Sequence, residues 1–196
     1  MDRGAILAAL DARPIVVALA GPNGAGKSTF YSTFLSGSGL RFVNADDLGR
    51  YLGVDPYAAA DLARATRLEL VRLRESFVFE TVFSDPVGEK LNFLQSIASS
   101  GYFVVLCFIG LASPELSDER VAMRVSQGGH DVPVEKIAPR YHRSLANLKA
   151  AIRVLPLVFV FDNSDLRAPY RRVAEFQRGT AEFLAKPTPE WLQSLL

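Results

Sequence analysis

The chain has 196 residues, of which 49% are apolar, so it is long enough for one domain with a full hydrophobic core. Its 22 basic and 21 acidic residues nearly cancel, which argues against a nucleic acid or an anionic membrane surface as a partner. The single cysteine, Cys107, excludes an intramolecular disulfide and favours a reducing compartment. The apolar stretch within residues 1–11 is too short to span a membrane and makes a poor signal peptide, so we expect a cytoplasmic protein.

Short apolar runs alternate with longer amphipathic segments, which is typical of a parallel α/β sheet. Five runs are almost continuously apolar, as strands covered on both faces are, and they are predicted at 15–20, 41–44, 77–80, 102–109 and 157–161. Helices are predicted at 26–36, 56–74, 86–99, 114–127 and 133–154. The tail, about residues 165–196, is predicted to form surface helices whose Trp191, Leu192, Leu195 and Leu196 pack back on the domain. These elements predict a single three-layer α/β domain over residues 1–196 with a five-stranded, mainly parallel sheet.

The strongest motif follows the first predicted strand. Residues 21–28 read Gly-Pro-Asn-Gly-Ala-Gly-Lys-Ser and match the Walker A pattern G-x-x-x-x-G-K-[ST] at every required position. Such glycines let the backbone turn successive N–H groups toward phosphates, and the helix that follows adds the positive end of its dipole. Lys27 is predicted to reach the β- and γ-phosphates of ATP, and the Ser28 hydroxyl is predicted to bind Mg²⁺. The alternative is a chance glycine-rich turn, against which the flanking strand and helix argue.

The predicted nucleotide-binding residues are Gly21, Pro22, Asn23, Gly24, Ala25, Gly26, Lys27, Ser28 and Thr29. A Walker A loop alone does not separate a kinase from a motor or a switch. The same letters resemble the loop of ABC transporter ATPases, which also need a signature like L-S-G-G-Q and a strand that ends in Asp-Glu. Residues 125–129 read Val-Ser-Gln-Gly-Gly, a weak echo of that signature, and the strand ending at Asp162 continues with Asn163. The sequence therefore disfavours an ABC ATPase.

Carboxylates follow two more of the predicted strands, at the end of the sheet where ligands bind in open parallel folds. We assign proton acceptance from a substrate hydroxyl to Asp46, and capping of the next helix to Asp47. Capping alone is the alternative for both residues. Glu80 and Thr81 end the third strand, where we expect them to bind substrate hydroxyls. For Glu80 the alternative is a solvated strand end.

Residues 114–150 are predicted to form a helical lid, because two helices there are joined by the polar, glycine-rich stretch 127–133. His130 lies in this stretch and is predicted to contact phosphate or substrate.

Four arginines of the lid helices are candidates for the γ-phosphate. Arg120 and Arg124 share a helix face because they are four residues apart, and Arg140 and Arg143 are three apart. Phosphoryl transfer needs cations beside the γ-phosphate oxygens, so we expect at least one of the four to be catalytic. Solvated helix faces are the alternative for each arginine.

Several of these segments together resemble the zeta-toxin family, and in particular its stand-alone bacterial branch, described as zeta-toxin-like or predicted ABC-type ATPase. The resemblance runs from about residue 15 to residue 164, and the block 120–148 is its most specific part. The matching segments are the Walker A residues 21–29, Asn44-Ala45-Asp46, Phe79-Glu80-Thr81, the block 120–148, and Phe161-Asp162-Asn163-Ser164.

Characterised zeta toxins are P-loop kinases that phosphorylate UDP-N-acetylglucosamine on the sugar 3′-hydroxyl. The resemblance implies that Asp46 holds the family's general-base position, Glu80 its substrate-orienting position and Arg124 a lid position over the γ-phosphate. By spacing, His130 stands near the place of the second lid arginine, and we expect Arg140 to supply that charge instead.

The combined prediction is a P-loop NTPase fold, similar to nucleoside-monophosphate kinases, that uses ATP and Mg²⁺ to phosphorylate a small-molecule hydroxyl on a nucleotide sugar. The predicted catalytic residues are Lys27, Asp46, Arg124 and Arg140, and the predicted substrate-binding residues are Glu80, Thr81, Arg120 and His130. Two alternatives stay open. One is a kinase for another metabolite or an antibiotic, and the other is a nucleotide-binding module that acts through a partner, such as an antitoxin protein.

Overall fold

A computed structural model describes residues 10–127 and 132–196 of the chain. Its strands are β1 Ile15–Ala20, β2 Arg41–Val43, β3 Phe77–Thr81, β4 Phe103–Gly110, β5 Leu157–Asp162, β6 Arg171–Gln177 and β7 Thr180–Leu184. They form one sheet in the order β2-β3-β1-β4-β5-β6-β7. The first five strands are parallel, as predicted, while β6 and β7 add two antiparallel strands at one edge. The described sheet therefore has seven strands rather than five.

The helices are α1 Lys27–Phe30, α2 Ala45–Leu52, α3 Pro56–Arg72, α4 Glu89–Ser99, α5 Pro114–Ser126, α6 Val134–Val154 and α7 Glu190–Gln193. Helix α1 continues into a π-helical turn, Tyr31–Leu35, and a 3₁₀ turn, Ser36–Ser38. Local sequence explains where α3 and α5 begin, because each helix has a proline in its first turn and a capping side chain directly before it. No helix of the described ranges is both long and apolar enough to cross a membrane.

The core is built around β1, whose six residues are all buried. Successive side chains of a strand point to opposite faces, so both faces of the sheet are covered and the fold has three layers. Register places Leu19 of β1 beside Glu80 of β3, and Gly110 of β4 beside Asp162 of β5. The carboxyl ends of the parallel strands therefore lie level at one rim, and the residues that follow them meet there.

The predicted helical tail is wrong for most of its length. Residues after Tyr170 form the hairpin of β6 and β7, whose turn holds Arg178 at φ 48° and Gly179 at φ 85°. Positive φ at both central residues suits the right-handed twist of a two-stranded hairpin. Only the short helix α7 is helical, and it packs back as predicted through the buried Trp191 and Leu192.

The other two tail residues differ from each other. Leu195 packs against the core while partly buried, whereas Leu196 is exposed and does not follow the prediction.

The two predicted lid helices are present as α5 and α6. Val121 of α5 packs with Val132 and Ile137 in a small apolar cluster of its own, apart from the main core. From Tyr141 onward α6 is anchored more deeply, and the Tyr141 hydroxyl donates to the Leu111 carbonyl at 2.9 Å. His130 falls in the connection between the two helices, outside the described residues.

Candidate active site

The Walker A loop is held close to the strands beside it, and two of its glycines show why no other residue fits. A Cβ on Gly21, at φ +144°, would lie 2.1 Å from the Ile109 carbonyl oxygen of β4. A Cβ on Gly26, at φ +84°, would lie 2.7 Å from the Tyr170 hydroxyl. Both positions combine a left-handed backbone with a contact that leaves no room for a side chain. The loop is therefore pressed between β4 and the segment that follows β5.

Lys27 is buried at the start of α1, with 6% of its side chain exposed. Its Nζ donates to the Pro22 carbonyl of the loop at 3.0 Å and lies 3.8 Å from Glu80 Oε1. Burial lowers the pKa of Lys27, and the negative charge of Glu80 opposes that shift. An anionic phosphate bound in the loop would raise the pKa of Lys27 in the same way as Glu80 does, so phosphate binding and the charged form of Lys27 favour each other.

Glu80 links the Walker A loop to the neighbouring strand. Its Oε2 accepts from the Ser28 hydroxyl at 2.7 Å and from Asn44 Nδ2 at 3.0 Å, while its Oε1 faces Lys27. Only 16% of the side chain is exposed. A solvated strand end, the alternative considered for this residue, does not describe it.

The capping prediction for Asp47 is wrong, because Asn44 caps helix α2. Asn44 Oδ1 accepts from the backbone N–H groups of Asp46 and Asp47. The reason is geometric: Asn44 has extended dihedrals, φ −127° and ψ 124°, whereas both aspartates already lie in the first helical turn. Asp47 instead pairs with Arg50 on the surface.

Two cavities open at this rim of the sheet, and Glu80 borders both. The first, which we call the P-loop cavity, has a volume of about 960 Å³. It is bordered by the P-loop residues Gly24, Gly26, Lys27, Ser28 and Thr29, by the α5 arginines, and by residues of the β5–β6 connection.

The second, the Asp46 cavity, has a volume of about 630 Å³ and is bordered by Asp46, Glu80, Thr81, Arg140 and Arg143. Its position beyond β2 and β3 is the one expected for a second ligand in an open parallel sheet.

The four lid arginines separate into two pairs. Arg120 and Arg124 border the P-loop cavity, where Arg120 Nη2 also donates to the Ser164 carbonyl at 3.1 Å. Arg140 and Arg143 border the Asp46 cavity, and Arg143 Nε donates to the Ser84 carbonyl at 2.8 Å. The sequence assigned Arg120 to the substrate and Arg140 to the γ-phosphate, and both assignments stay predictions. Helices α5 and α6 present their arginines to different cavities, which spacing along one helix cannot reveal.

Thr81 borders the Asp46 cavity, and its hydroxyl accepts from the Phe83 N–H at 3.1 Å. Phe83 has the left-handed dihedral φ 59°, which few residues with a side chain adopt. Thr81 therefore supports the turn after β3, and its substrate-binding role stays a prediction.

Sequence reasoning missed two residues that hold the Walker A loop. Asn163 Nδ2 donates to the Ala25 carbonyl at 2.9 Å, and its Oδ1 accepts from the Tyr170 N–H at 3.2 Å. The Tyr170 hydroxyl donates to the Gly26 carbonyl at 2.9 Å. The position of Asn163 directly after a strand was a usable signal. Tyr170 offered none, because the strand that follows it was predicted as helix.

Mg²⁺ fits the oxygen atoms beside Lys27. No group of three or more His, Cys, Asp or Glu side chains that could hold a metal lies in residues 10–127 and 132–196. A magnesium ion that accompanies a nucleotide needs only one or two protein oxygens, since phosphates and water supply the rest. The Ser28 hydroxyl and the Glu80 carboxylate, 2.7 Å apart, are oxygen donors of this kind.

A Walker A loop on a parallel sheet, with a second cavity that shares one carboxylate with it, defines a P-loop phosphotransferase. The zeta toxin family matches the chain over residues 5–174, and the protein belongs to this family. It is thus an ATP-dependent P-loop kinase. Membership of this family supports the kinase prediction over the ABC transporter ATPase that the Walker A sequence also resembles. No curated protein matches the chain.

Solved structures share this fold at low sequence identity. AvrRxo1-ORF1 in complex with AvrRxo1-ORF2 and ATP has a TM-score of 0.73 at 17% identity, over 98% of this chain and 68% of that one. The PezAT toxin–antitoxin system of Streptococcus pneumoniae has a TM-score of 0.57 at 18% identity, over 94% and 85%. A putative kinase from Chloroflexus aurantiacus has a TM-score of 0.50 at 21% identity, over 65% and 76%.

Proposed function

We propose that this kinase transfers the γ-phosphate of ATP to a hydroxyl of a nucleotide sugar, with UDP-N-acetylglucosamine as the first candidate. The observation that carries the proposal is the position of Glu80 between two cavities. One cavity contains the Walker A loop, and the other contains a carboxylate, Asp46, at the end of the adjacent strand. A donor and an acceptor bound in these cavities would meet beside Glu80.

The P-loop cavity is the proposed site of ATP. The loop N–H groups and Lys27 would hold the β- and γ-phosphates, and Arg124 would offset the charge that develops during transfer. Arg120 borders the same cavity and is better placed for the nucleotide than for the acceptor. The AvrRxo1-ORF1 structure that contains ATP supports nucleotide binding by a chain of this fold.

Mg²⁺ would neutralise charge on the β- and γ-phosphate oxygens, with the Ser28 hydroxyl as its protein ligand. Glu80 would then lose its hydrogen bond from Ser28 and would contact the magnesium site or a substrate hydroxyl instead. Its bond from Asn44 keeps the carboxylate oriented in either case.

Asp46 is the proposed general base. The acceptor hydroxyl oxygen attacks the γ-phosphorus, the bond from that phosphorus to the bridging oxygen breaks, and ADP leaves. The hydroxyl proton passes to the Asp46 carboxylate. Arg140 and Thr81 border the same cavity and would position the acceptor. His130 keeps its predicted contact with phosphate or substrate as part of this proposal.

The test is transfer from γ-labelled ATP to UDP-N-acetylglucosamine. We expect label on the sugar nucleotide, its loss in Lys27→Ala, and a fall of about 10²- to 10⁴-fold in Asp46→Ala with ATP binding retained. Asp47→Ala is the matched control, because Asp47 pairs with Arg50 on the surface and should leave the rate unchanged. Transfer by Asp46→Ala at the wild-type rate would show that another group accepts the proton. ATP binding without label on the sugar would redirect the acceptor search to other hydroxyl metabolites.

An antitoxin partner is also part of the proposal, because AvrRxo1-ORF1 and the PezAT toxin were both solved as two-component systems. If the pairing extends to this chain, expression of the chain alone should slow growth, and co-expression of a small protein encoded beside it should restore growth. Unimpaired growth during expression of an active enzyme would argue against a toxin.

A further inference from the structure

Helix α3 carries a buried arginine on the face that packs on the sheet. The buried residues of this helix are Ala59, Ala63, Arg67 and Leu70. They follow helical spacing, so Arg67 occupies a position where an apolar side chain is expected. Only 8% of Arg67 is exposed. Arginine is almost never this buried unless it is paired, because its charge loses the stabilisation of water.

The guanidinium lies over an aromatic ring and faces no carboxylate closely. Arg67 Cζ is 5.1 Å from the centre of the Phe79 ring on β3. Within residues 10–127 and 132–196, no hydrogen bond or ion pair engages the Arg67 side chain. The negative charge of Glu89 acts on Arg67, but the Glu89 carboxylate pairs with Arg64 at 3.4 Å and with Lys90 at 3.3 Å. The five N–H donors of the guanidinium therefore have no acceptor in the part of the chain that the structure describes.

Arg67 borders the Asp46 cavity, as do Ala60 and Ala63 from the same helix. Five carboxylates border the same cavity. Glu80 and Asp85 accept hydrogen bonds from neighbouring groups and Glu89 pairs with Arg64 and Lys90, whereas Asp46 and Asp61 form no ion pair among the described residues. Arg67 is therefore a buried positive charge in the cavity wall that forms no ion pair with a carboxylate of the described residues.

We propose that Arg67 binds a phosphate group of the acceptor and selects acceptors that carry one. The planar guanidinium matches two phosphate oxygens at once, and its contact with the Phe79 ring limits the positions that it can take before the ligand arrives. Asp46 and Arg67 border the same cavity, so they would contact different parts of one molecule: a hydroxyl at Asp46 and an anionic group at Arg67. The inference rests on the proposed function of this cavity as the acceptor site.

Binding of UDP measures this role directly. The P-loop cavity is first saturated with Mg²⁺ and a non-hydrolysable ATP analogue, and UDP is then titrated by calorimetry. We expect Arg67→Met, which keeps the length of the side chain without its charge, to weaken UDP binding by about ten- to a hundredfold. Arg67→Lys should recover part of the loss. Arg72→Met is the matched control, since Arg72 lies on the same helix and pairs with Glu69 at the surface.

Kinetics separate binding from a structural role. In Arg67→Met the KM for UDP-N-acetylglucosamine should rise, while kcat, the affinity for the ATP analogue and the melting temperature stay near wild type. Equal UDP affinity in wild type and Arg67→Met would overturn the inference. Parallel losses of ATP-analogue affinity and melting temperature would also overturn it, because they would make Arg67 a structural residue.

A second titration distinguishes a wrong choice of acceptor from a wrong role for Arg67. If the wild type transfers no label to UDP-N-acetylglucosamine, inorganic pyrophosphate replaces UDP in the same titration. Pyrophosphate bound by the wild type and lost in Arg67→Met would keep Arg67 as the anion site while the acceptor changes. Pyrophosphate bound by neither protein, or by both equally, would overturn the role of Arg67.

Discussion

Asn163 joins the end of β5 to the Walker A loop, so removal of its side chain should affect both stability and ATP binding. The residue is 3% exposed. In Asn163→Ala the Ala25 carbonyl and the Tyr170 N–H both lose their side-chain partner in a buried place. Each unsatisfied group costs about 1–3 kcal/mol, so the free energy of unfolding should fall by roughly 2–6 kcal/mol. For a chain of this size that corresponds to a fall in melting temperature on the order of 10 °C.

ATP affinity should fall as well, because the loop N–H groups must be ordered when the nucleotide binds instead of beforehand. Asn147→Ala is the matched control. Like Asn163, Asn147 makes two side-chain hydrogen bonds, but both are donated by its Nδ2, to the carbonyls of Phe83 and Asp85, and neither involves the Walker A loop. It should lose stability while ATP affinity stays unchanged. The measurements are thermal melting and titration with a fluorescent ATP analogue.

Two results would refute this reasoning. A wild-type melting temperature in Asn163→Ala would mean that water or the backbone replaces both lost bonds. Equal losses of stability in the two variants with wild-type ATP affinity in both would mean that the loop keeps its shape without Asn163. Tyr170→Phe adds a graded test, since it removes only the bond from the hydroxyl to the Gly26 carbonyl.

Two further predictions concern the core and the tail. Burial raises the pKa of the Cys107 thiol from 9.0 to about 12, so thiol reagents at neutral pH should label the protein only after denaturation. Above pH 9 the thiol of the unfolded chain loses its proton while the folded thiol keeps it, so the free energy of unfolding should fall between pH 9 and about 12. In urea titrations, Cys107→Ala should show a smaller fall in the free energy of unfolding over this pH range. Trp191→Ala should cost about 3–5 kcal/mol in calorimetry, since the buried ring packs on Gly110, whereas Leu196→Ala at the exposed end should change stability little. Rapid labelling of native Cys107, or an unchanged melt in Trp191→Ala, would contradict these packing arguments.

The parallel part of the sheet could be predicted because its signals are local. Buried strands such as Ile15–Ala20 are almost continuously apolar, and a glycine or an asparagine directly follows three of them: Gly21 after β1, Asn44 after β2 and Asn163 after β5. The tail could not be predicted in the same way. Strands β6 and β7 mix buried and exposed residues with irregular register, and their turn is Arg178-Gly179 rather than a more common Asn-Gly pair.

The sequence predicted the positions of the rim residues better than it predicted their individual roles. Asp46, Glu80 and Thr81 do lie at the rim of the sheet, where the strand ends predicted them. The cap of α2 was assigned to Asp47, although Asn44 two residues before Asp46 provides it. Helix start and dihedrals decide which polar residue caps, and a sequence with three candidates in four positions leaves that choice to the backbone.

The Walker A loop, the parallel sheet around it and the carboxylates at its rim can all be predicted from the amino-acid sequence. These follow from short-range patterns in which neighbouring residues set the backbone. Three features become visible only in the folded chain: the α5 and α6 arginines border separate cavities, Asn163 and Tyr170 hold the loop, and Arg67 lies buried beside Phe79. Those contacts join residues far apart in the chain, and their geometry depends on how helices pack across the sheet, which no local pattern records.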